Sequence, residues 1–297
     1  MVKYADRLLL YDNLDKPLSE TLTPGVRAVI SHLPKKMNFV IAILCVKGRL
    51  DIGCNMEKLS ITDGGLMVLV PGTIAESVDM DMDSRMIVIV VPDDEYAPDS
   101  SFHNATYAKG NFTSPVAIQL DESTVKSGIE TYLQLKSVLK EKGNKVNNDL
   151  VKAYMTLLAG LAAVNFQKIL HERRKIRISA SERIYKDFLV LLSYEYRMHK
   201  DVSFYADAAR LSAKYFAKQI FNASGRHPLE IIRDQVILDA KSMLNSSDYS
   251  IKDICGILDF PSTAQFSRYF KAAVGMTPGE YRKSINQTHI VNSEDAL

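Results

Sequence analysis

The sequence predicts two domains of different class: a mainly-β N-terminal barrel followed by two helices, and an all-α C-terminal domain built on a repeated pair of helices. Three observations predict it. Short β-prone runs separated by turn signals fill residues 26–118. Helical periodicity replaces them from Ser123 onward. Beyond about Ser179 the chain repeats itself. The expected boundaries are a barrel over 1–120, a helical segment over 121–172, a basic linker over 173–180 and the repeat domain over 181–287.

The strands come first. Phe39-Val-Ile-Ala-Ile-Leu-Cys-Val46 is a continuous β-prone run stopped by Lys47-Gly48. Arg49-Leu-Asp-Ile52 alternates polar and apolar residues, as a half-buried strand should. Asp63-Gly64-Gly65 predicts a hairpin turn, because glycine reaches positive φ at little steric cost. Leu66–Val70 stops at Pro71-Gly72, and Met86–Val91 stops at Pro92. Short strands at this spacing fit a small antiparallel barrel or sandwich.

Two helices follow. Ser123 to Lys142 carries Val125, Ile129, Tyr132 and Leu139 and meets a stop at Gly143-Asn144. Asn148 can cap a second helix running to about His171. Its apolar stripe, with Leu150, Tyr154, Leu157, Leu158, Leu161 and Phe166, is wide enough to meet more than one neighbour. That stripe is either core or a seam between two copies. Arg173-Arg-Lys-Ile-Arg177 then marks a basic linker.

The repeat pairs Phe216, Lys218, Ile220 and Gly225 with Phe266, Arg268, Phe270 and Gly275. In the first unit Ser203 can cap a short helix burying Ala206, Ala209 and Leu211, and Ser212 starts a second helix that buries Phe216 and Ile220. In the second unit Ser250 and Asp253 have capping-box spacing, Ile254 and Leu258 face inward, and the helix after Pro261-Ser262 buries Phe266 and Phe270. The outward sides carry Lys214, Tyr215, Ala217 and Lys218 in one unit, and Thr263, Gln265 and Arg268 in the other. A helix, a short turn and a second helix with a basic, polar outer face is an arrangement that reads DNA.

Charge agrees. Residues 1–172 carry 18 Lys/Arg and 21 Asp/Glu, whereas residues 173–287 carry 19 Lys/Arg and 12 Asp/Glu. The polyanion-binding part is therefore expected at the C-terminal end. Composition is that of an ordinary globular protein, with 46% hydrophobic and 24% charged residues. No unbroken apolar run approaches the roughly 20 residues that span a bilayer, and Met1–Leu10 makes a poor signal peptide. Cys45, Cys54 and Cys255 have neither a disulfide nor a metal spacing, which fits a reduced cytoplasmic protein.

Residues 180–284 resemble the DNA-binding domain of the AraC-type (AraC/XylS family) transcription regulators. The phrases that carry the resemblance are Phe204-Tyr-Ala-Asp207, Tyr215-Phe216, Ala240-Lys-Ser-Met-Leu244, Ile251-Lys-Asp-Ile254, Phe266-Ser-Arg-Tyr-Phe-Lys271 and Gly275-Met-Thr-Pro-Gly-Glu-Tyr-Arg282. The resemblance implies two helix-turn-helix units joined by a long helix, each laying its second helix in the major groove. That linker helix would start near Pro228 and run to about Leu244, roughly 25 Å at about 1.5 Å per residue. The DNA-contacting residues are then expected to be Ser212, Lys214, Tyr215, Lys218, Thr263, Gln265, Arg268 and Lys271. The sequence departs from the family pattern at three places. Asp259 stands where Gly is usual, Cys255 where Ala is usual, and Ala217 where relatives often place a polar base contact.

The N-terminal part is similar, through Val46-Lys-Gly-Arg-Leu50 and Leu69-Val-Pro-Gly72, to the cupin-like sensor of the same family. The resemblance implies a pocket inside a small barrel, followed by two helices for pairing. Ile41, Ile43, Leu50, Ile52, Met67, Leu69, Met86 and Val88 are candidates for facing that pocket, but plain core is the role expected of most of them, and no ligand contacts are assigned.

The expectation is a sequence-specific transcription regulator, of activator type, that responds to a small-molecule effector. It would pair as a homodimer on double-stranded DNA, with RNA polymerase as a further partner and no membrane. One alternative is a DNA-binding regulator with no effector, controlled by protein contact or abundance. Another is a metal-dependent cupin-type enzyme, which needs clustered His and carboxylate ligands. The region ahead of the helices has only His32 and His103, so no catalytic residue, metal or cofactor is expected.

Overall fold

In the computed structural model, residues 8–21, 33–92, 115–140, 148–175, 179–246 and 248–285 are described. The chain divides into two compact units, Met1–Ser31 with Met37–Ile176, and His32–Lys36 with Arg177–Leu297. His32 and His103 lie outside the described residues. Among the described residues no group of His, Cys, Asp and Glu is placed to hold a metal ion.

The first unit opens with β1 (Leu9–Asp12) and α1 (Leu18–Thr21). β2 (Lys35–Lys36) groups with the second unit. The strands β3 (Phe39–Lys47), β4 (Leu50–Cys54), β5 (Glu57–Ile61), β6 (Gly65–Leu69), β7 (Ile74–Met80), β8 (Arg85–Pro92) and β9 (Val116–Gln119) follow. One antiparallel sheet has the order β1-β8-β3-β6-β9, and in the other β4 lies between β5 and β7. The register sets Ala42 of β3 opposite Val68 and Ile89, and Ile43 opposite Met67 and Val88. Strands β1, β5, β7 and β9 add to the four runs read from sequence. Charged residues interrupt β5 and β7, whose outward positions are exposed or half-buried.

The turn at Asp63-Gly64 differs from expectation. Gly64 does take positive φ, at 75°. Yet the flanking strands β5 and β6 belong to different sheets, so the turn switches sheets rather than closing a hairpin. The reason is a tie to β3, where the Gly64 N–H donates to the Cys45 carbonyl at 2.8 Å. Gly48, which ends β3 at φ 98°, has a steric reason of its own. A Cβ there would fall 2.9 Å from the Ser84 Cα.

Helices α2 (Glu122–Lys140) and α3 (Asn148–Lys175) cover one face of the five-stranded sheet. Tyr132, Leu135, Val151 and Met155 pack there against Val40, Leu44, Val68 and Ile89. Helix α3 runs past the expected end at His171 and takes in Arg173, Arg174 and Lys175. No Gly or Pro interrupts that stretch, so the first three residues of the basic run continue the helix. The same helix also bears on the search for membrane spans. Asn148–Phe166 is long and apolar enough, by length and composition, to cross a membrane. Asp149 and Lys152 break the continuous apolar run that the sequence reading looked for. Its apolar residues are split, with Val151, Met155, Ala159 and Ala163 buried and Leu150, Leu157 and Val164 exposed.

The second unit is helical: α4 (Ala180–Glu195), α5 (Val202–Ala208), α6 (Ala213–Ser224), α7 (Pro228–Asn245), α8 (Ile251–Ile257) and α9 (Thr263–Val274), then helical residues 278–285. Helix α4, ahead of the repeat, starts on a capping box between Ser179 and Glu182. Its Phe188 stands edge-on to both Tyr205 and Phe216, with ring centroids 5.3 Å and 5.5 Å away. In α7 every residue from Gln235 to Ala240 is buried. Six consecutive positions at 100° each point in all directions, so this helix is surrounded.

Two turns inside the repeat hold non-glycine residues at positive φ, Arg210 at 56° and Asp259 at 50°. Asp tolerates that conformation better than a long side chain does. Arg210→Gly is therefore expected to stabilise the protein by about 0.5–1 kcal/mol, the strain released less the added chain entropy of glycine. Urea unfolding of the two proteins measures it, and a lower midpoint for the variant would contradict it.

Candidate nucleic-acid interface

Each unit of the repeat is a short helix, a turn and a longer helix. Helices α5 and α8 have seven residues each, and α6 and α9 have twelve. The caps are local and identical in kind. Ser212 accepts from the Tyr215 N–H and Ser262 from the Gln265 N–H, both at 3.3 Å. Each second helix ends on a left-handed glycine, Gly225 at φ 70° and Gly275 at φ 85°. The two turns differ by one residue. The caps of the first helices, Asp201 and Ser250, are 49 positions apart, while those of the second helices, Ser212 and Ser262, are 50 apart.

One cap differs from expectation. Asp201, not Ser203, caps α5, with its carboxylate accepting from the Phe204 N–H at 3.0 Å. The Ser203 hydroxyl instead donates to that carboxylate. These bonds hold the Asp201 carboxyl below the usual carboxylate range. The helix ends at Ala208, so Ala209 and Leu211 lie beyond it. Tyr205 and Ala206 are buried, whereas Ala209 is exposed and Leu211 only half-buried. In the second unit Ser250 and Asp253 form the expected capping box, at 3.1 Å and 2.9 Å.

The inner sides of the longer helices are apolar and closed. Phe216, Ile220, Phe266 and Phe270 are at most 1% exposed. Ile254 and Leu258 are fully buried behind the second pair. Removing a ring this deep costs roughly 3–5 kcal/mol, so these residues fix the helix rotation.

That rotation decides the outer side. Ser212, Lys214, Tyr215 and Lys218 are all exposed along α6 or at its cap, and Thr263, Gln265, Arg268 and Lys271 are all exposed along α9. Lys218 and Arg268 follow the buried Phe216 and Phe266 by two positions, about 200° around a helix, and so stand opposite the core. Ala217 is half-buried and contributes little to the outer surface. Lys214, Lys218, Arg268 and Lys271 give each outer face a positive charge and several hydrogen-bond donors.

Helix α7 holds the two pairs through its buried length. Asp239, fully buried at its centre, accepts from the Tyr196 hydroxyl at 2.7 Å and from Arg197 Nε at 2.8 Å, and Lys36 Nζ lies 3.6 Å away. Burial, reinforced by this carboxylate, raises the Tyr196 phenol well above its ordinary range and keeps it a donor. Stripping one partner from such a site typically costs about 3–5 kcal/mol. Sequence reading missed this group, since a lone Asp in a helix carries no local signal. At the far end, Arg282 donates to the Leu244 and Tyr249 carbonyls at 3.3 Å and 2.7 Å.

Residues 205–284 match the family model of a helix-turn-helix domain. Over 111 residues, 36% of this chain, the sequence is 30% identical to the xylose operon regulatory protein of Haemophilus influenzae. The chain spans 29% of the length of that relative. Among solved structures, it is similar to ToxT from Vibrio cholerae O395, at 13% identity and a TM-score of 0.38, over 85% of this chain and 91% of that one. It is also similar to the DNA-binding domain of AdpA, a global transcriptional factor solved with a target DNA, at 25% identity and a TM-score of 0.32, over 35% of this chain and 94% of that one. The described helices, their caps and the matched family model agree, and residues 205–284 are a helix-turn-helix domain of the AraC type.

Proposed function

We propose that this protein is a sequence-specific, ligand-responsive transcription regulator that binds double-stranded DNA through the outer faces of α6 and α9. The observation that carries the reading is the matched pair of exposed, positively charged helix faces, each rotated outward by a closed aromatic core on its inner side. Eighteen residues of α7 span about 27 Å, comparable to the roughly 34 Å of one DNA turn once the bulk of the two units is added. Two helices at this separation suit adjacent major-groove segments. The caps Ser212 and Ser262 lie at helix starts, where backbone N–H groups favour phosphate. With its three cysteines as buried free thiols, the protein suits the reducing cytoplasm.

The first unit supplies the regulatory part of the reading. An apolar cavity of about 100 Å³ lies between the five-stranded sheet and helices α2 and α3, and it supports an effector site. Leu150, Leu157 and Val164 form an exposed row at seven-residue spacing on α3, the geometry of a seam with a second copy. Two-fold pairing through that row would present four reading helices to the DNA.

Three outcomes are expected. A fragment of residues 177–297 binds duplex DNA without the first unit, and its affinity falls steeply between 50 and about 200 mM salt as counterion release predicts. A folded fragment with no affinity at low salt would remove the reading. Arg268→Ala costs roughly 1–3 kcal/mol on the preferred site and relaxes base preference at one position, because a guanidinium fork matches the two acceptors of guanine. Lys271→Ala weakens all sites about equally, as a phosphate contact does. Binding series over single-base variants of the site separate the two, and a uniform loss for Arg268→Ala would make it a phosphate contact. Sedimentation of the intact protein at micromolar concentration shows a dimer, and Leu157→Glu shifts it to monomer; a wild-type monomer with and without DNA would rule the pairing out.

A further inference from the structure

The two faces of β3 look into different interiors. Ile43, Cys45 and, on β6, Met67 and Leu69 are buried on the face away from the helices. Their neighbours Val40, Ala42 and Leu44 face α2 and α3, where the cavity of about 100 Å³ is found. Of the pocket candidates read from sequence, Ile41, Ile43, Met67, Leu69, Met86 and Val88 are thus one position out of phase with the open space, and Leu50 and Ile52 belong to the other sheet; none of them lines it.

The space exists because small side chains meet across the layer. Ala42 of the sheet faces Gly128 of α2 and Ala159 and Ala162 of α3. A Cβ placed on Gly128 would meet no atom within 4 Å. Aliphatic side chains and Met155 supply most of the wall. Two polar side chains reach it, and both are already paired. The Tyr132 hydroxyl donates to Asp12 at 2.6 Å, with Lys136 closing the ion pair on the same carboxylate. The Thr124 hydroxyl accepts from Asn165 at 3.1 Å.

We infer that this cavity, rather than the space between the sheets, is the effector site, and that it takes a small uncharged apolar molecule, about the size of one aromatic ring. An apolar cavity of comparable size, about 150 Å³, stays dry and binds benzene. A carboxylate would meet no cation in the wall, and a sugar would find only the remaining capacity of two hydroxyls, so either would leave most of its own polar groups desolvated. The inference rests on the ligand-responsive reading. It adds the chemistry of the ligand and the lever, since an occupant would touch both α2 and α3.

The test uses the full-length protein labelled with ¹³C-methyl methionine, and follows the Met155 methyl resonance, assigned with Met155→Leu. Benzene is expected to shift it saturably, and benzoate at the same concentration to leave it in place. Gly128→Leu fills the space and is expected to weaken benzene binding at least tenfold, with Ala162→Leu doing the same and Gly128→Ala retaining at least part of the binding. No shift with benzene, an equal shift with benzoate, or full benzene binding by both filled variants would each overturn the inference. The resonance is read on DNA-free protein, so its result is independent of whether the second unit binds DNA. Gel-shift affinity with and without benzene tests the effector reading separately.

Discussion

The second unit depends on the burial of α7. A helix whose residues Gln235 to Ala240 are all inside must be covered on every side, and no single helical pair can do that. One pair packs on it from each part of the repeat, and β2 packs on it as well, with the Lys36 N–H donating to the Ser242 hydroxyl at 2.8 Å. Apolar contact alone would leave their rotation about the helix free. Asp239 removes that freedom for the end of α4, because a buried carboxylate accepts partners only along directed bonds, here from Tyr196 and Arg197.

The outer faces follow from the inner ones. Once Phe216 and Phe266 are closed over, Lys218 and Arg268 stand opposite the core. The second turn is one residue longer, with Asp259 and Phe260 ahead of Pro261. Phe260 stacks near Phe266 and Tyr269, with centroids 5.4 Å and 5.1 Å away, so the longer turn is packed rather than loose. The Cys255 thiol points at the Phe260 carbonyl, 3.5 Å away, which explains how a residue larger than alanine is accommodated there.

In the first unit a strand has two sides, and both are apolar. β6 is buried at all five positions, so its hydrophobicity says only that both faces are covered. Small residues on the sheet and on two helices have to coincide before a cavity forms, and they come from positions as far apart as Ala42 and Ala162.

Most of the second unit was legible in the sequence because its signals are local. Caps bond three residues ahead, glycine stops act at one position, and the period of a helix shows within two turns, so the repeat revealed both longer helices and their exposed residues. The same locality explains the misplaced cap, since Asp201 and Ser203 are both good caps two residues apart. The tertiary structure alone decided what depends on distant partners: the Tyr196–Asp239 bond across 43 positions, the Tyr132–Asp12 bond across 120, the switch of sheets at Gly64, and which face of β3 holds open space. A pattern along the chain reports that a residue is buried; only the fold determines against what.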